Sequence, residues 1–577
     1  MIASALRKLH QLADDSVLRR WLIGRAFGRW AGTPSFTPHQ PPYLSNLLPL
    51  ELESPTKVFT NSATGEIVDG LDIQLAGQTL SLNPTNYRTV FNRTFDDVEI
   101  LLALHRFAWL PLLGPDVDPR WINVMWKTWR DGYGVPSDHW AWHPYTAAER
   151  AVNILSFARR HGMPGSSQET LDVLAAHGPV IADRLEYFGE HHTSNHLSNN
   201  GRGLYLLGLE LGLDKATDIG LTILKNEFAR IFNDGGVLRE GSNHYQLLVT
   251  RNYADAWLAA KRHNRQEAST LETLTHKALS ATAAMSSTAA MPRIGDLSPD
   301  CPPAWLAGLL PGGEGGWLDG LSDEDARNFL DLRQRVVPAP ASTLKQTGWH
   351  RLNGRRFSVI AHAAPQGWSA MPGHGHQDVS GFELYDGNQP IIIDPGRGAY
   401  GESGDAAYYR SGRAHSGLMV DGADPYPPNR PYYDEVFRRL ISGPVPQVRY
   451  TEKTMTLRHH GFSRLSGVDA HQRCWRISDE KLSIDDHLDG DGQHALVRSI
   501  ITPLRTQHEN GAIVLQGDQA LYRLTWDDSA TETVIEPITL WQAYGVGRPG
   551  HVVRLTTRAH LPWRGTLTLE AIPNVPR

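Results

Sequence analysis

Residues 333–349 read RQRVVPAPASTLKQTGW, and the character of the chain changes across them. Pro338 and Pro340 lack backbone donors and hold φ near −65°, so neither a helix nor a central strand runs through. On the N-terminal side, from about Thr94 to Leu332, apolar residues recur at i, i+3 and i+4. Examples are DDVEILLALHRFAWL (96–110), AAERAVNILSFARR (147–160), SQETLDVLAAHGPVIADRLEYF (167–188) and GRGLYLLGLELGL (201–213). That spacing gives each segment one apolar helical face. Short Gly, Pro and Asn breaks join the segments, so they read as helical hairpins packed as a bundle, a solenoid or a closed toroid; no fixed-length repeat selects among these. On the C-terminal side the period falls to two. RRFSVIAHAA (355–364), SGFELYDGNQPIIID (380–394), GVDAHQRCWRISDEKLSIDDHLDG (467–490) and GTLTLEAI (565–572) alternate or run apolar between turn residues. Without intervening helices such strands form an antiparallel sandwich or stacked sheets. The fold class is therefore a multidomain α+β chain. Residues 1–90 hold an N-terminal helix and a small hairpin at 71–83 turning at Gly77. Residues 91–335 form the helical domain and 345–577 the antiparallel β domain.

Composition narrows the function. Hydrophobic residues are 40% and charged residues 20%, ordinary for a globular chain, and a net charge of −6 spread over 577 residues gives no footprint for nucleic acid. Cys301 and Cys474 are the only cysteines, which excludes a disulfide framework and a Cys-rich zinc site; a metal here must use His and carboxylates. The 17 Trp can stack on sugar rings or fill a core. No run approaches ~20 apolar residues, so no transmembrane helix is expected. The first thirty residues lack the uninterrupted apolar stretch of a signal peptide, which leads us to expect a cytoplasmic location or one peripheral to the inner membrane. There Ile2, Leu6, Leu9, Ala13, Val17 and Trp21 make an amphipathic helix with Arg7, Lys8, Arg19, Arg20, Arg25 and Arg29 beside them. It packs on its own protein or touches an anionic membrane surface.

Two motifs mislead. Gly396–Gly401 reads GRGAYG after the strand QPIIID, with Asp421 downstream, and mimics a dinucleotide fingerprint. However, Pro395 and Gly396 turn the chain, ESGDAAYYRSGRAH is a poor crossover helix, and Asp386-Gly387 closes an antiparallel hairpin. His192 and His196 have the spacing of a zinc protease, but Thr193 stands where its general base would be.

Three stretches carry candidate chemistry. In HHTSNHLSNNGRGLYLLGLEL (191–211), Asn195 and His196 sit at a helix start that Thr193 or Ser194 could cap, with Asn199 and Asn200 one turn on. This is either a capped loop or a substrate-facing rim. In DGGVLREGSNHYQLLVTRNY (234–253), Glu240, Ser242 and Tyr245 precede a helical stripe. A Tyr there is packing unless a neighbour tunes it for proton transfer. In PGHGHQDVSGFELYDGNQPIIIDPGRGAY (372–400) and RSGRAHSGLMVDG (410–422), His374 and His376 alternate as on an extended chain, facing opposite sides. His376, Asp394 and His415 can converge as a two-His, one-carboxylate site, a donor set that zinc accepts with a further ligand or water.

In this order these stretches resemble the heparinase II/III-like polysaccharide lyases, with the related alginate and oligoalginate lyases, over roughly residues 140–425. The resemblance rests on Asn195-His196, on E-x-S-x-x-Y at Glu240, Ser242 and Tyr245, and on Ile294-Gly295-Asp296. It also rests on H-x-H-x-D-x-S-x-F-x-L from His374 to Leu384, running into Asp394-x-Gly396 and Arg413-Ala414-His415. Ser416 stands where the family commonly has Asn, and Gln246 where many members carry His. The resemblance implies an (α/α) toroid joined to an antiparallel β-sandwich, and β-elimination on a uronic-acid polysaccharide. Asn195 and His196 would neutralise the uronate carboxylate. Tyr245 would be the acid and a candidate base on the syn face, with His374 assisting. Glu240, Asn199 and Tyr400 would contact substrate, and His376, Asp394 and His415 would hold a structural zinc. The rival readings are a glycoside hydrolase, drawing two carboxylates from Glu149, Asp234, Glu240 and Asp296, and a non-catalytic glycan-binding or assembly protein.

Overall fold

The prolines of the boundary stretch lie between the last long helix and the first strand of the β domain. Helix α10 (Asp323–Gln334) ends before them, Pro340 precedes a single short helical turn, Ala341–Lys345, and β3 (Trp349–Asn353) opens the β domain. A computed structural model of the chain describes residues 12–13, 15–30, 37–286, 291–365, 367–368, 373–518, 520–527 and 531–573.

The first helix, α1 (Ser16–Ala26), starts at Asp15, whose side chain accepts from the Leu18 N–H. In the helical domain α2 (Val98–His105), α3 (Pro119–Tyr133), α4 (Pro144–His161), α5 (Ser167–Asp183), α6 (His196–Leu211), α7 (Asp214–Ile231), α8 (Asn243–Arg262) and α9 (Ala268–Met285) follow in turn. Asp97, Asp118 and Ser242 cap α2, α3 and α8 with side-chain oxygens, satisfying N–H groups that a helix start leaves orphaned. Helix α6 is buried on every side from Leu197 to Leu211. Its neighbours come unusually close: a Cβ at Gly203 would lie 2.5 Å from the Ala148 Cβ, and one at Gly220 would lie 2.3 Å from the Tyr205 N. Those glycines let α4 and α7 pack backbone to backbone on α6. The periodic segment 167–188 leaves the helix at Arg184, and its last residues form a loop.

The expected hairpin forms β1 (Leu71–Leu75) and β2 (Gln78–Leu82), paired antiparallel through a two-residue turn at Ala76 and Gly77, both with positive φ. Its tip meets the β domain, where a Cβ on Gly77 would fall 2.5 Å from the Gly545 Cα.

In the β domain every pairing is antiparallel. An eight-stranded sheet runs Arg505–Glu509, Ala512–Gln516, Ala520–Trp526, Trp563–Pro573, Lys481–Gly490, Val468–Ile477, Thr454–His459, Gln447–Tyr450. Facing it are two four-stranded sheets. One holds β3, β4 (Phe357–His362), β5 (Phe382–Asp386) and β6 (Gln389–Ile392); the other runs Glu532–Ala543, Val546–His560, Gln493–Thr502, Leu418–Val420. They join where Ile393 donates to the Ile501 carbonyl. The layers bury Leu384, Ile392, Trp475, Ile484, Val553 and Leu567 between them. The outer face of β3–β6 contributes Trp349, Ile360 and Tyr385, which pack on Val237, Ala281, Met285 and Ile294 of the helical half. This apolar seam fixes the two halves against each other. Because β5 and β6 are an antiparallel hairpin, the glycine motif after β6 belongs to no βαβ unit.

Helix α1 docks on the β domain: Val17 and Trp21 pack against Tyr433, Phe437 and Ile441 beside and within the helix Glu435–Ser442. Ile2, Leu6, Leu9, Arg7 and Lys8 lie outside the described residues. Among the described residues no helix is long and apolar enough to cross a membrane.

Candidate active site

Four loci far apart in sequence meet at the seam: the start of α6, the start of α8, the loop 294–300 after α9, and the loops on either side of the β5–β6 hairpin. Ser242 ties two of them together. Its Oγ accepts the Tyr245 N–H at 3.2 Å and donates to the Asp296 carbonyl at 2.7 Å. The Asp296 N–H in turn donates to the His374 carbonyl at 3.1 Å.

Asn195 occupies the helix-capping position of α6, but its side chain caps nothing. Instead its backbone N–H and Nδ2 donate to the two oxygens of Glu240 at 2.7 and 2.9 Å. Thr193 bonds Phe188 and Gly189, so of the two expected caps only Ser194 reaches a helix N–H, that of His196 at 3.4 Å. Glu240 is fully buried. It is a support beneath Asn195 rather than the substrate contact expected, because both its oxygens are already occupied. Asn199 departs in the same way: fully buried, its Oδ1 accepts from Arg202 at 3.3 Å, inside the helical core and away from any rim.

His196 is half exposed, with Nδ1 donating to Glu186 at 2.7 Å and its ring 4.6 Å from that of Tyr145. Burial works against the charged imidazole, but the Glu186 carboxylate outweighs it and raises the His196 pKa. No motif marks Glu186; it reaches the site because the tail of segment 167–188 leaves α5.

Tyr245 lies parallel to His374, ring centroids 3.7 Å apart at 18°. Its hydroxyl is 2.6 Å from that of Tyr400, and the Tyr400 hydroxyl is also 3.1 Å from the Leu297 carbonyl. A carbonyl can only accept, so Tyr400 spends its proton there and Tyr245 donates to Tyr400. Burial pushes the pKa of both phenols well above the ordinary tyrosine value, so both rest neutral. Tyr400 is therefore at the heart of the cluster and not on its margin. It is held by Arg397, which donates to Gly401 and Ala406 carbonyls, and by Tyr544, whose hydroxyl accepts the Tyr400 N–H and donates to Asp97.

His374 and His376 do not face opposite sides. Residues 374–376 are loop, so strand alternation does not apply, and both rings reach one buried carboxylate. His374 Nδ1 is 3.2 Å from Asp296 Oδ2 and His376 Nε2 is 2.8 Å from Asp296 Oδ1, while Arg397 donates to both oxygens. Burial would raise the Asp296 pKa; His374, His376 and Arg397 together hold it far below the usual carboxylate range. The other edge of His374 approaches Glu240 Oε2 at 3.6 Å. Asn195 and His374 thus meet at Glu240, and Tyr245 stacks on His374.

Behind His374, one donor atom each from His376, Asp394 and His415 lies within 4.8 Å of the others. Among the described residues His376 Nδ1 and His415 Nε2 are buried without hydrogen-bond partners. The opposite ring nitrogens bond carboxylates, Asp296 for His376 and Asp394 for His415 at 2.7 Å. Carboxylates of this kind orient histidine ligands around metals. Burial alone would lower the His415 pKa, but Asp394 outweighs it and pushes it up to about 9. Buried Asp378 beside them is pushed up to about 7, chiefly by desolvation. The cluster is an electron-rich cage that fits a cation. Arg473, buried and paired with Asp486, holds it from behind by donating to the Ser380 and Ser416 carbonyls.

Residues 336–561 match the family model described as heparinase II/III-like, C-terminal. The β half of this chain is thus similar to the heparinase II/III-like C-terminal domain. Among solved structures, a heparinase III aligns with TM-score 0.63 at 14% identity, covering 84% of this chain and 79% of that one. A second heparinase III aligns at 0.57 and 15%, covering 85% and 82%, and the heparan sulfate lyase HepC of Pedobacter heparinus at 0.51 and 15%, covering 85% and 79%. At such identities the likeness is one of fold. That fold, a helical toroid followed by a β-sandwich, is the heparinase-like architecture, and it spans both halves of the chain. A comparison of the sequence with curated proteins found no match.

Proposed function

We propose that this heparinase-like chain is a polysaccharide lyase that cleaves a uronic-acid polymer by β-elimination. The observation that carries the reading is the convergence of Asn195, His196, His374 and the Tyr245–Tyr400 pair at one interdomain space. The C5 proton of a uronate is weakly acidic because the neighbouring carboxylate is already negative, so the developing enolate needs preorganised donors. The Asn195 amide, immobilised by Glu240, and the His196 imidazolium, favoured by Glu186, supply donors and positive charge to that carboxylate. Tyr245, neutral and already donating, is the acid for the leaving glycosidic oxygen. Because Tyr245 rests protonated, proton abstraction falls to His374, whose imidazole lies parallel against it. Tyr400 holds the Tyr245 hydroxyl in place and lies within reach of the same sugar.

The buried state of the carboxylates disfavours the hydrolase reading. Glu149 is tied to Arg202, Glu240 to Asn195 and Asp296 to Arg397, and Asp234 lies on an exposed turn. No two of these four form an open acid–base pair across a cleft. His376, Asp394 and His415 would hold a zinc ion that organises the loops carrying His374 and Tyr400; when bound, the ion supplies positive charge behind His374. The test is to incubate purified protein with a panel of glycosaminoglycans, alginate and other uronate polymers and record ultraviolet absorbance. Elimination creates an absorbing unsaturated end with each cut. Cleavage yielding only saturated ends would make the enzyme a hydrolase, and no cleavage of any polymer would favour a binding protein.

A further inference from the structure

A second cavity lies in the helical domain away from the seam. It comprises about 680 Å³, part of it open to solvent, and is lined by the C-terminal half of α4, by Arg202, Arg251 and Asp255, and by Trp305 and Trp317. The catalytic candidates sit in the first turns of α6 and α8. Arg251 lies six residues past Tyr245, about 9 Å further along α8, and Arg159 lies fourteen residues past Tyr145, about 21 Å along α4. The cavity therefore opens toward the other end of the helices.

Its charges are unevenly satisfied. Arg159, Arg160, Arg202, Arg251 and Asp255 line it; Arg159 pairs with Glu210 at 3.4 Å and Arg160 donates to the Asp319 and Leu321 carbonyls. Arg202 takes the short bonds, to Glu149 at 2.7 Å and to Asp255 at 2.7 and 3.0 Å. Arg251 is 4% exposed, yet Glu149 and Asp255 stand 3.9 and 3.8 Å from it, beyond hydrogen-bond range, and its Nε has no partner among the described residues. A buried guanidinium N–H without a hydrogen bond is costly, and a planar oxyanion can accept from Nε and a neighbouring Nη together. The walls add a second property. Trp305 is half-buried, its ring 5.8 Å from the Arg251 guanidinium, and Trp317 is locked by an indole N–H bond to Asp255 at 2.9 Å. A flat apolar face beside a cationic fork suits a pyranose that carries an acidic substituent.

We propose that this cavity is a second binding site, separate from the catalytic one, for a sugar bearing a carboxylate or sulfate, with Arg251 receiving the oxyanion and Trp305 the ring. The proposal does not depend on the lyase reading. Calorimetric titration of the whole protein with glucuronate, glucose and inorganic sulfate tests it. Glucuronate should bind in an event that Asn195→Ala leaves intact and that Arg251→Met and Trp305→Ala each weaken tenfold or more. Glucose should bind far more weakly. Trp305→Ala removes a partly exposed side chain and keeps the test available if Arg251→Met fails to fold, with melting curves as the check. Glucuronate binding that disappears with Asn195→Ala, or survives both cavity variants, would overturn the proposal. Sulfate binding as tightly as glucuronate with no effect of Trp305→Ala would reduce the cavity to a simple oxyanion site and overturn the sugar assignment, as would the absence of any saturable binding.

Discussion

Tyr245 carries the heaviest chemical assignment on a single oxygen. Tyr245→Phe keeps the ring on His374 and removes only the proton donor, so turnover should fall by ~10²–10⁴ while the melting temperature stays near that of the parent. Near-normal turnover would make Tyr245 a packing residue. Asn195 is separable from a helix cap because its side chain makes no capping bond. Asn195→Ala leaves a buried Glu240 oxygen short of a partner and should cost about 1–3 kcal/mol of stability. The deciding measurement is the split between parameters: kcat should drop much more than KM rises, since carboxylate neutralisation matters most as the enolate develops. A change confined to KM would remove Asn195 from the transition state. His196 gives the pH test. Its pKa is raised by Glu186, so its cationic form persists below that raised value and is lost as pH rises through it. Glu186→Gln removes the charge that raises it. The limb of the kcat/KM profile that reports His196 should then move to lower pH, and an unmoved profile would show that His196 charge is not used. His196 and Tyr245 stand in recognisable motifs. Glu186 and Arg397 carry no pattern of their own, because their roles arise only from what the fold brings beside them.

At the scale of elements, periodicity in the sequence was enough for α4, α6 and α8 and for the hairpin β1–β2, where apolar spacing and a two-residue turn leave little choice. It misled at residues 374–376. Alternation of side chains holds only where a ladder of hydrogen bonds keeps the chain extended, and here the chain enters a loop whose two histidines bend to one carboxylate. That loop, and the one carrying Asp394, Tyr400 and His415, share the candidate metal cage. Protein purified without a histidine tag should contain about one equivalent of zinc, and chelation should lower its melting temperature, because a bound ion contributes to folding. Elemental analysis and melting curves decide. No metal together with an unchanged melting temperature would leave the three residues as a hydrogen-bonded cluster only.

At the scale of the whole molecule, the site exists only because the halves are held in register by the apolar seam and by Tyr544, which reaches from the β domain to Asp97 while accepting the Tyr400 N–H. Tyr544→Phe should cost about 1 kcal/mol of stability and lower kcat several-fold with little change in KM, measured on whichever uronate polymer the panel identifies. Equal kcat in the two proteins would show that Tyr400 needs no help from across the seam. The order of helices then strands and the change of period at Pro338 and Pro340 were decided by the sequence itself, which also singled out Asn195, His196, Tyr245, His374, His376, Asp394 and His415 as candidates. These are local properties, readable from spacing, turn chemistry and short motifs. Tertiary structure alone decided that Glu240 is a buried support, that the Tyr400 hydroxyl donates to the Leu297 carbonyl and accepts from Tyr245, and that Arg251 stands beyond hydrogen-bond range of Glu149 and Asp255 in a second cavity. Each of those facts depends on which distant groups compete for one oxygen or one nitrogen, and that competition is settled by packing across α6, α8 and the β5–β6 loops, not by neighbours along the chain.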